Sequence, residues 1–129
     1  MIVDTSALVA IFRNESDAEE FARLIIAAPT CRLSVANQLE LALVIEGQMG
    51  AEGSRWVDQF INLANIVIEP VTLEQGRFAR LAFLDFGKGR HPARLNFGDC
   101  FAYALARAMG EPLLFKGNDF ALTDIQSAL

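Results

Sequence analysis

Three short apolar runs, residues 1–3, 66–68 and 113–115, and a mixed segment, 31–35, that can form a strand are separated by longer segments in which apolar residues recur at helical spacing. Short, continuously apolar strands are buried on both faces, and strands that alternate with helices form a parallel sheet joined by helical crossovers. The chain is therefore expected to be α/β with a central parallel sheet of four strands. A fifth is expected if Thr123-Asp124-Ile125 forms a last short one. At 129 residues it fits one domain, residues 1–129, with one core and no linker. No repeat or low-complexity segment interrupts it.

Local signals place the helices. Thr5 or Ser6 can cap a helix over 7–12, and Ser16-Asp17-Ala18-Glu19 has the form of a capping box for a helix to about residue 28. Pro29 ends that helix. A helix over 36–49 closes at Gly50, and the next, over 51–64, puts Trp56, Phe60, Leu63 and Ala64 on one stripe. Thr72 precedes an amphipathic helix over 73–86 that carries Phe78, Leu81, Ala82 and Asp85. Asn96 caps a helix running to Met109, with Gly110 and Pro112 beyond it.

Composition narrows the function. A hydrophobic content of 53% is rich for a water-exposed domain and suggests an apolar surface kept for a partner, with homodimerisation the first expectation. No apolar run approaches the ~18 residues that cross a bilayer, and no signal-like segment opens the chain, so a cytoplasmic protein is expected. Cys31, Cys100 and the single His91 lack zinc-ligand spacing, and paired-histidine acid–base catalysis cannot be assembled from one histidine. A net charge of -5 disfavours unspecific attraction to nucleic acid. Such a substrate would need a local basic patch, for which Lys88, Arg90, His91 and Arg94 are candidates, or metal ions. A solvated loop is the alternative reading of that patch.

Against this background four carboxylates stand out. Asp4 follows the first apolar run, Glu40 lies between Leu39 and Leu41, Asp99 sits in Leu95-Asn96-Phe97-Gly98-Asp99-Cys100, and Asp119 follows Leu113-Leu114-Phe115 after a turn. In open α/β sheets ligands bind outside the carboxyl ends of the strands, where these residues would gather. Asp4 and Asp99 also suit helix capping and Asp119 suits a turn. Glu40 has no Lys or Arg at helical neighbour spacing, on a helix apolar nearly all round. A withdrawn carboxylate without a cation points to a metal site, and hard oxygen ligands select Mg2+ or Mn2+. Asp17, Glu19, Glu20, Glu46, Glu52, Asp58, Glu74 and Asp85 have polar neighbours or exposed positions and read as solvated.

Ile2-Val3-Asp4-Thr5-Ser6-Ala7, Glu40 in the third helix, Leu95 to Tyr103, and Leu113-Leu114-Phe115-Lys116-Gly117-Asn118-Asp119-Phe120 through Ile125 resemble the motifs of PIN-domain ribonucleases. The likeness is to the VapC-type toxins of bacterial toxin–antitoxin pairs in particular, and it covers the whole chain. It implies a three-layer α/β/α PIN-like fold and Mg2+- or Mn2+-dependent hydrolysis of RNA that leaves a 5'-phosphate. It further implies Asp4, Glu40, Asp99 and Asp119 as the acidic quartet, supported by Ser6 and Asn96, and inhibition by a cognate VapB-type antitoxin. The position of Asn118 is often acidic in relatives; Asp124 reads as a cap. Lys116, beside Asp119, is expected to pair with it or to contact RNA, as Lys88, Arg90 and Arg94 would.

Three rival readings differ in what they require. A haloacid-dehalogenase-like phosphatase needs a second Asp where this chain has Ser6, and a receiver-like signalling module needs a phosphoacceptor after a central strand, where Asp58 falls within a helix. A PIN-like domain that only binds a partner would not need the quartet.

Overall fold

A computed structural model describes residues 1–129. Strand β1 (Ile2–Val3) leads into α1 (Thr5–Phe12) and α2 (Ala18–Ala27), then β2 (Cys31–Ser34), α3 (Val35–Met49), α4 (Ala51–Leu63) and β3 (Ile66–Glu69). Helices α5 (Leu73–Phe86) and α6 (Phe97–Met109) precede β4 (Leu113–Leu114) and a 3-10 turn, Phe120–Leu122. The four strands are parallel in the order β3-β2-β1-β4.

Strand alternation divides the core. Val3, Leu33 and Leu114 pack with α1 to α4, whereas Ile2 and Leu113 pack with Tyr103 and Leu105 of α6 and with Ala82 of α5. Neighbouring residues of one strand thus enter opposite cores, which is the period-two geometry of a sheet covered on both faces. The result is the three-layer α/β/α arrangement expected. No helix is long and apolar enough to cross a membrane.

The expected elements appear with local corrections. Asp4, not Thr5 or Ser6, caps α1, and α1 therefore begins at Thr5. Ser16 donates to the Asp17 side chain, so no capping box forms and α2 starts at Ala18 without a side-chain cap. On α4 the buried stripe is Gly53, Val57 and Ile61; Trp56 and Leu63 are exposed. On α5 Gln75 and Ala82 are buried while Leu81 faces outward. The fifth strand is reduced to a single bridge between Leu113 and Ser127, because the chain turns through 120–122 instead of extending. Gly110 ends α6 at a left-handed φ of 63°, a conformation that favours glycine.

Candidate active site

Each carboxylate is placed by a different element at one end of the sheet. Asp4 is buried where β1 passes into α1, and its Oδ2 accepts hydrogen bonds from Ser6 N (2.8 Å) and Ser6 Oγ (2.5 Å). Ser6 Oγ itself accepts from the Lys116 backbone N–H just beyond β4, which ties the first strand's exit to the last one's. Asp99 and Asn96 form a reciprocal capping box at the start of α6: Asn96 N donates to Asp99 Oδ2 at 2.8 Å, and Asp99 N donates to Asn96 Oδ1 at 2.9 Å.

Glu40, half-buried on α3, accepts from Thr5 Oγ1 at 2.6 Å and from Asn37 Nδ2 at 3.2 Å, both on Oε2. The Asn37 amide also donates to the Gly98 carbonyl at 3.0 Å, so this buried side chain joins α3 to the first turn of α6. Its Oδ1 is the one buried side-chain polar atom without a hydrogen-bond partner. Gly98 packs directly on Glu40: a Cβ there would lie 2.2 Å from Glu40 Oε1.

Thr5, Asn37 and Gly98 thus belong to the site, though none was singled out from sequence. Their signals were present. Asn37 stands one helical turn before Glu40, and Gly98 occupies a helical position that intrinsic propensity disfavours.

The electrostatics connect these groups. Burial pushes the Asp4 carboxyl up to about 6, with repulsion from Asp99 and Glu40 adding to it and the Ser6 hydrogen bonds opposing it. Burial also raises Asp99, aided by the charges of Asp119 and Glu40 and opposed by the bond from Asn96. None of Asp4, Glu40, Asp99 or Asp119 takes part in an ion pair. The protein supplies no counter-charge.

This bears on the expected cation. As they stand, no three His, Cys, Asp or Glu side chains are close enough to hold a metal ion, so the four acids do not form a closed cage. Asp119 in particular is exposed and makes no cap bond. The donor chemistry nonetheless fits a hard divalent cation. The protein donors to Asp4, Glu40 and Asp99 all reach one oxygen of each carboxylate, leaving the second without a hydrogen bond from the protein. Mg2+ usually takes only one or two carboxylates and keeps several waters.

The remaining candidates are less uniform. Lys88, Arg90 and Arg94 are exposed on the loop before Asn96, which is pinned by a bridge between Gly87 and Leu95; His91 lies partly buried against Phe86. Lys116 does not pair with Asp119. It reaches Glu15 (2.6 Å) and Asp17 (3.0 Å), so Asp17 is paired and not merely solvated. Asn118 is exposed. Asp124 caps nothing; it accepts from Tyr103 Oη at 2.7 Å and pairs with Arg107 at 2.6 Å, fastening the carboxyl-terminal segment to α6.

Comparison with known proteins bears on the fold that carries this site. A PIN-domain family model matches residues 1–126. Ribonuclease VapC28 of Mycobacterium tuberculosis is 52% identical over 130 residues, spanning 100% of this chain and 98% of the relative. Ribonuclease VapC of Mycolicibacterium smegmatis is 48% identical, covering 97% of each. Among solved structures, M. tuberculosis VapC20, described as a sarcin–ricin loop cleaving toxin, superposes with a TM-score of 0.78 at 17% identity, covering 96% of this chain and 95% of that one. A toxin–antitoxin complex from Klebsiella pneumoniae gives a TM-score of 0.68 at 16% identity, covering 93% and 89%. At those identities the two structures speak for the fold.

Proposed function

This chain belongs to the PIN-domain family, among its VapC ribonucleases, and from that premise we propose that it is a divalent-metal-dependent endoribonuclease and the toxin of a VapBC-type pair. The observation that carries the metal dependence is the set of carboxylates with raised proton affinity and no ion-pair partner, Asp4 and Asp99 foremost. Asp4 and Asp99 would hold Mg2+ or Mn2+, with Glu40 and Asp119 acting directly or through water. When bound, the cation supplies positive charge against the phosphate oxygens and makes the attacking water more acidic.

The chain's own residues prepare that site. Ser6 fixes Asp4, Asn96 fixes Asp99, and Thr5 with Asn37 orients Glu40. Lys88, Arg90, Arg94 and Lys116 are the proposed phosphate contacts, Lys116 only after leaving Glu15 and Asp17. Hydrolysis would leave a 5'-phosphate. A VapB-type antitoxin peptide would cover exposed apolar surface beside Glu40, where Leu39 and Leu43 are 61% and 63% exposed, and set a basic residue among the carboxylates. A homodimer is proposed as the active form.

The test is RNA cleavage by the purified protein, free of any antitoxin. Mg2+ or Mn2+ should support it, chelator should stop it, and Asp4→Asn or Asp99→Asn should lower it roughly a hundredfold or more while the protein stays folded. Undiminished cleavage by both variants would overturn the assignment.

A further inference from the structure

Lys116 is placed where its charge would cancel that of the acidic site, yet it is turned away. It follows the buried Phe115 just beyond β4, and its backbone nitrogen is linked to Asp4 Oδ2 through Ser6 Oγ by two hydrogen bonds, of 3.0 and 2.5 Å. Asp119 comes three residues later. The flexible four-carbon stem of a lysine can span a gap of that size, and an ammonium there would be the natural counter-charge for Asp4 or Asp119. The side chain runs instead to the turn between α1 and α2. Glu15 Oε2 accepts from its ammonium at 2.6 Å, and Asp17 Oδ2 lies 3.0 Å from it.

The turn is built to present both acids to one cation. Asn14 follows α1 at a left-handed φ of 51°, with Asn14 N donating to the Ile11 carbonyl and Glu15 N to that of Ala10, the paired bonds of a Schellman ending. Asn is one of the few residues besides Gly that visits this conformation routinely. The other oxygens of the two acids are also engaged: Ser16 Oγ donates to Asp17 Oδ1 at 3.0 Å, and Arg13 lies 3.8 Å from Glu15 Oε1. Arg13 in turn donates to Gln48 near the end of α3 at 3.2 Å, which steadies the turn from outside.

Stability does not account for this clasp. The side chains of Lys116, Glu15 and Asp17 are between 31% and 42% exposed, and ion pairs so placed contribute little to folding. Beside the buried Asp4 the same ammonium would act far more strongly, because water screens charge less there. We propose that Glu15 and Asp17 are positioning residues for the metal site: by holding Lys116 they keep the chain's own cation off Asp4 and Asp119, so that those carboxylates stay open to a divalent ion. This rests on the metal-dependent reading and adds to it how the free protein protects an uncompensated site from a lysine that stands beside it in sequence. The phosphate contact assigned to Lys116 comes afterwards, since a phosphate must draw the ammonium away from two carboxylates.

The experiment measures Mn2+ binding to the full chain without RNA, from the electron paramagnetic resonance signal of the free ion at low salt. Glu15→Gln combined with Asp17→Asn preserves the side-chain shapes and removes the clasp. It should weaken Mn2+ binding roughly tenfold, the effect of one ammonium set close to a divalent cation in a partly screened site. Lys116→Gln alone should bind Mn2+ as the wild type does, because the clasped ammonium is already withdrawn. Adding Lys116→Gln to the double variant should restore wild-type affinity. Weakening that persists in the triple variant would mean that Glu15 and Asp17 attract the cation by their own charge, and would overturn the clasp. So would unchanged affinity in the double variant, or tighter binding by Lys116→Gln alone. Asp4→Asn, titrated in parallel, keeps the two readings apart. Wild-type affinity in that variant would remove the metal assignment and the clasp together, whereas failure of the clasp alone would leave the Asp4→Asn loss intact.

Discussion

Two groups of partly buried carboxylates lie in this small domain and are treated in opposite ways. Around the start of β1, Glu111 accepts from the Met1 ammonium and from Arg32 Nε at 3.0 Å, and Arg32 Nη1 also reaches Glu69 at 2.5 Å. Burial pushes Glu111 up, but these donors outweigh it and hold the carboxyl below its usual range. At the other group, Asp4 and Asp99 receive hydrogen bonds from neutral donors only and are raised. A carboxylate used for folding is given a cation from the protein, whereas one kept for a ligand is braced by neutral groups and left with its charge uncompensated.

The largest expected effect follows from the opposite signs. Asp4 has a folded value of about 6 against about 4 in an unfolded chain. Between those values the folded state binds more protons, so stability falls as pH rises and the full penalty is present above pH 6. In chelator, Asp4→Asn should therefore raise stability at pH 8 by up to roughly 3 kcal/mol, the gain vanishing towards pH 4, since Asn still caps α1. Glu111 behaves in reverse: its contribution is present above the ordinary carboxylate range and is lost as pH falls through its depressed folded value. Glu111→Gln should lower stability at pH 8 and leave cleavage unchanged. Thermal melts across pH for both variants check the contrast, and a destabilised Asp4→Asn protein at pH 8 would break it.

The same contrast explains what was legible in the sequence. Helix α6 was readable because the Asn96–Asp99 box and Gly110 act within a few residues of each other, and Thr72 likewise announced α5. Glu40 was readable as a residue lacking a local partner, and Asp4 as a carboxylate closing an apolar strand. Partners supplied across the fold were not: Lys116 stands three residues from Asp119 yet pairs with Glu15, 101 positions away. The outward turn of Trp56 depends on which face of α4 meets α3, where Gly53 approaches the Ile45 backbone. Periodicity alone could not choose between that face and its neighbour. The last strand failed for a similar reason, because the 3-10 turn at 120–122 is anchored by Phe120 packing on Phe115.

A smaller effect probes how firmly the unpaired group is held. Gly98→Ala removes a glycine from α6, which by propensity is worth up to about 1 kcal/mol in favour of the fold. Its new methyl, however, would occupy the place of Glu40 Oε1 and push that carboxylate off Thr5 and Asn37. Cleavage should fall roughly tenfold while the melting temperature holds or rises. No such approach of backbone to carboxylate occurs around Glu111, so equal activity in Gly98→Ala would show that the position of Glu40 is not under functional constraint.

The smallest effect decides to which group Asp124 belongs. It lies beside the acidic-site helix, yet it has the signature of the structural group: Arg107 on one oxygen and the Tyr103 hydroxyl on the other. Burial and that bond to Asp124 together push the Tyr103 phenol well above its usual value, so it remains a donor at any pH the protein survives. Tyr103→Phe removes the donor and keeps the ring against Phe86, and Arg107 still satisfies the other oxygen. Stability should fall by about 1 kcal/mol, seen as a lower denaturation midpoint, with cleavage and its metal requirement unchanged. A loss of cleavage out of proportion to that destabilisation would move Asp124 from the paired carboxylates to the unpaired ones, and the division drawn from Glu111 and Asp4 would have to be redrawn around α6.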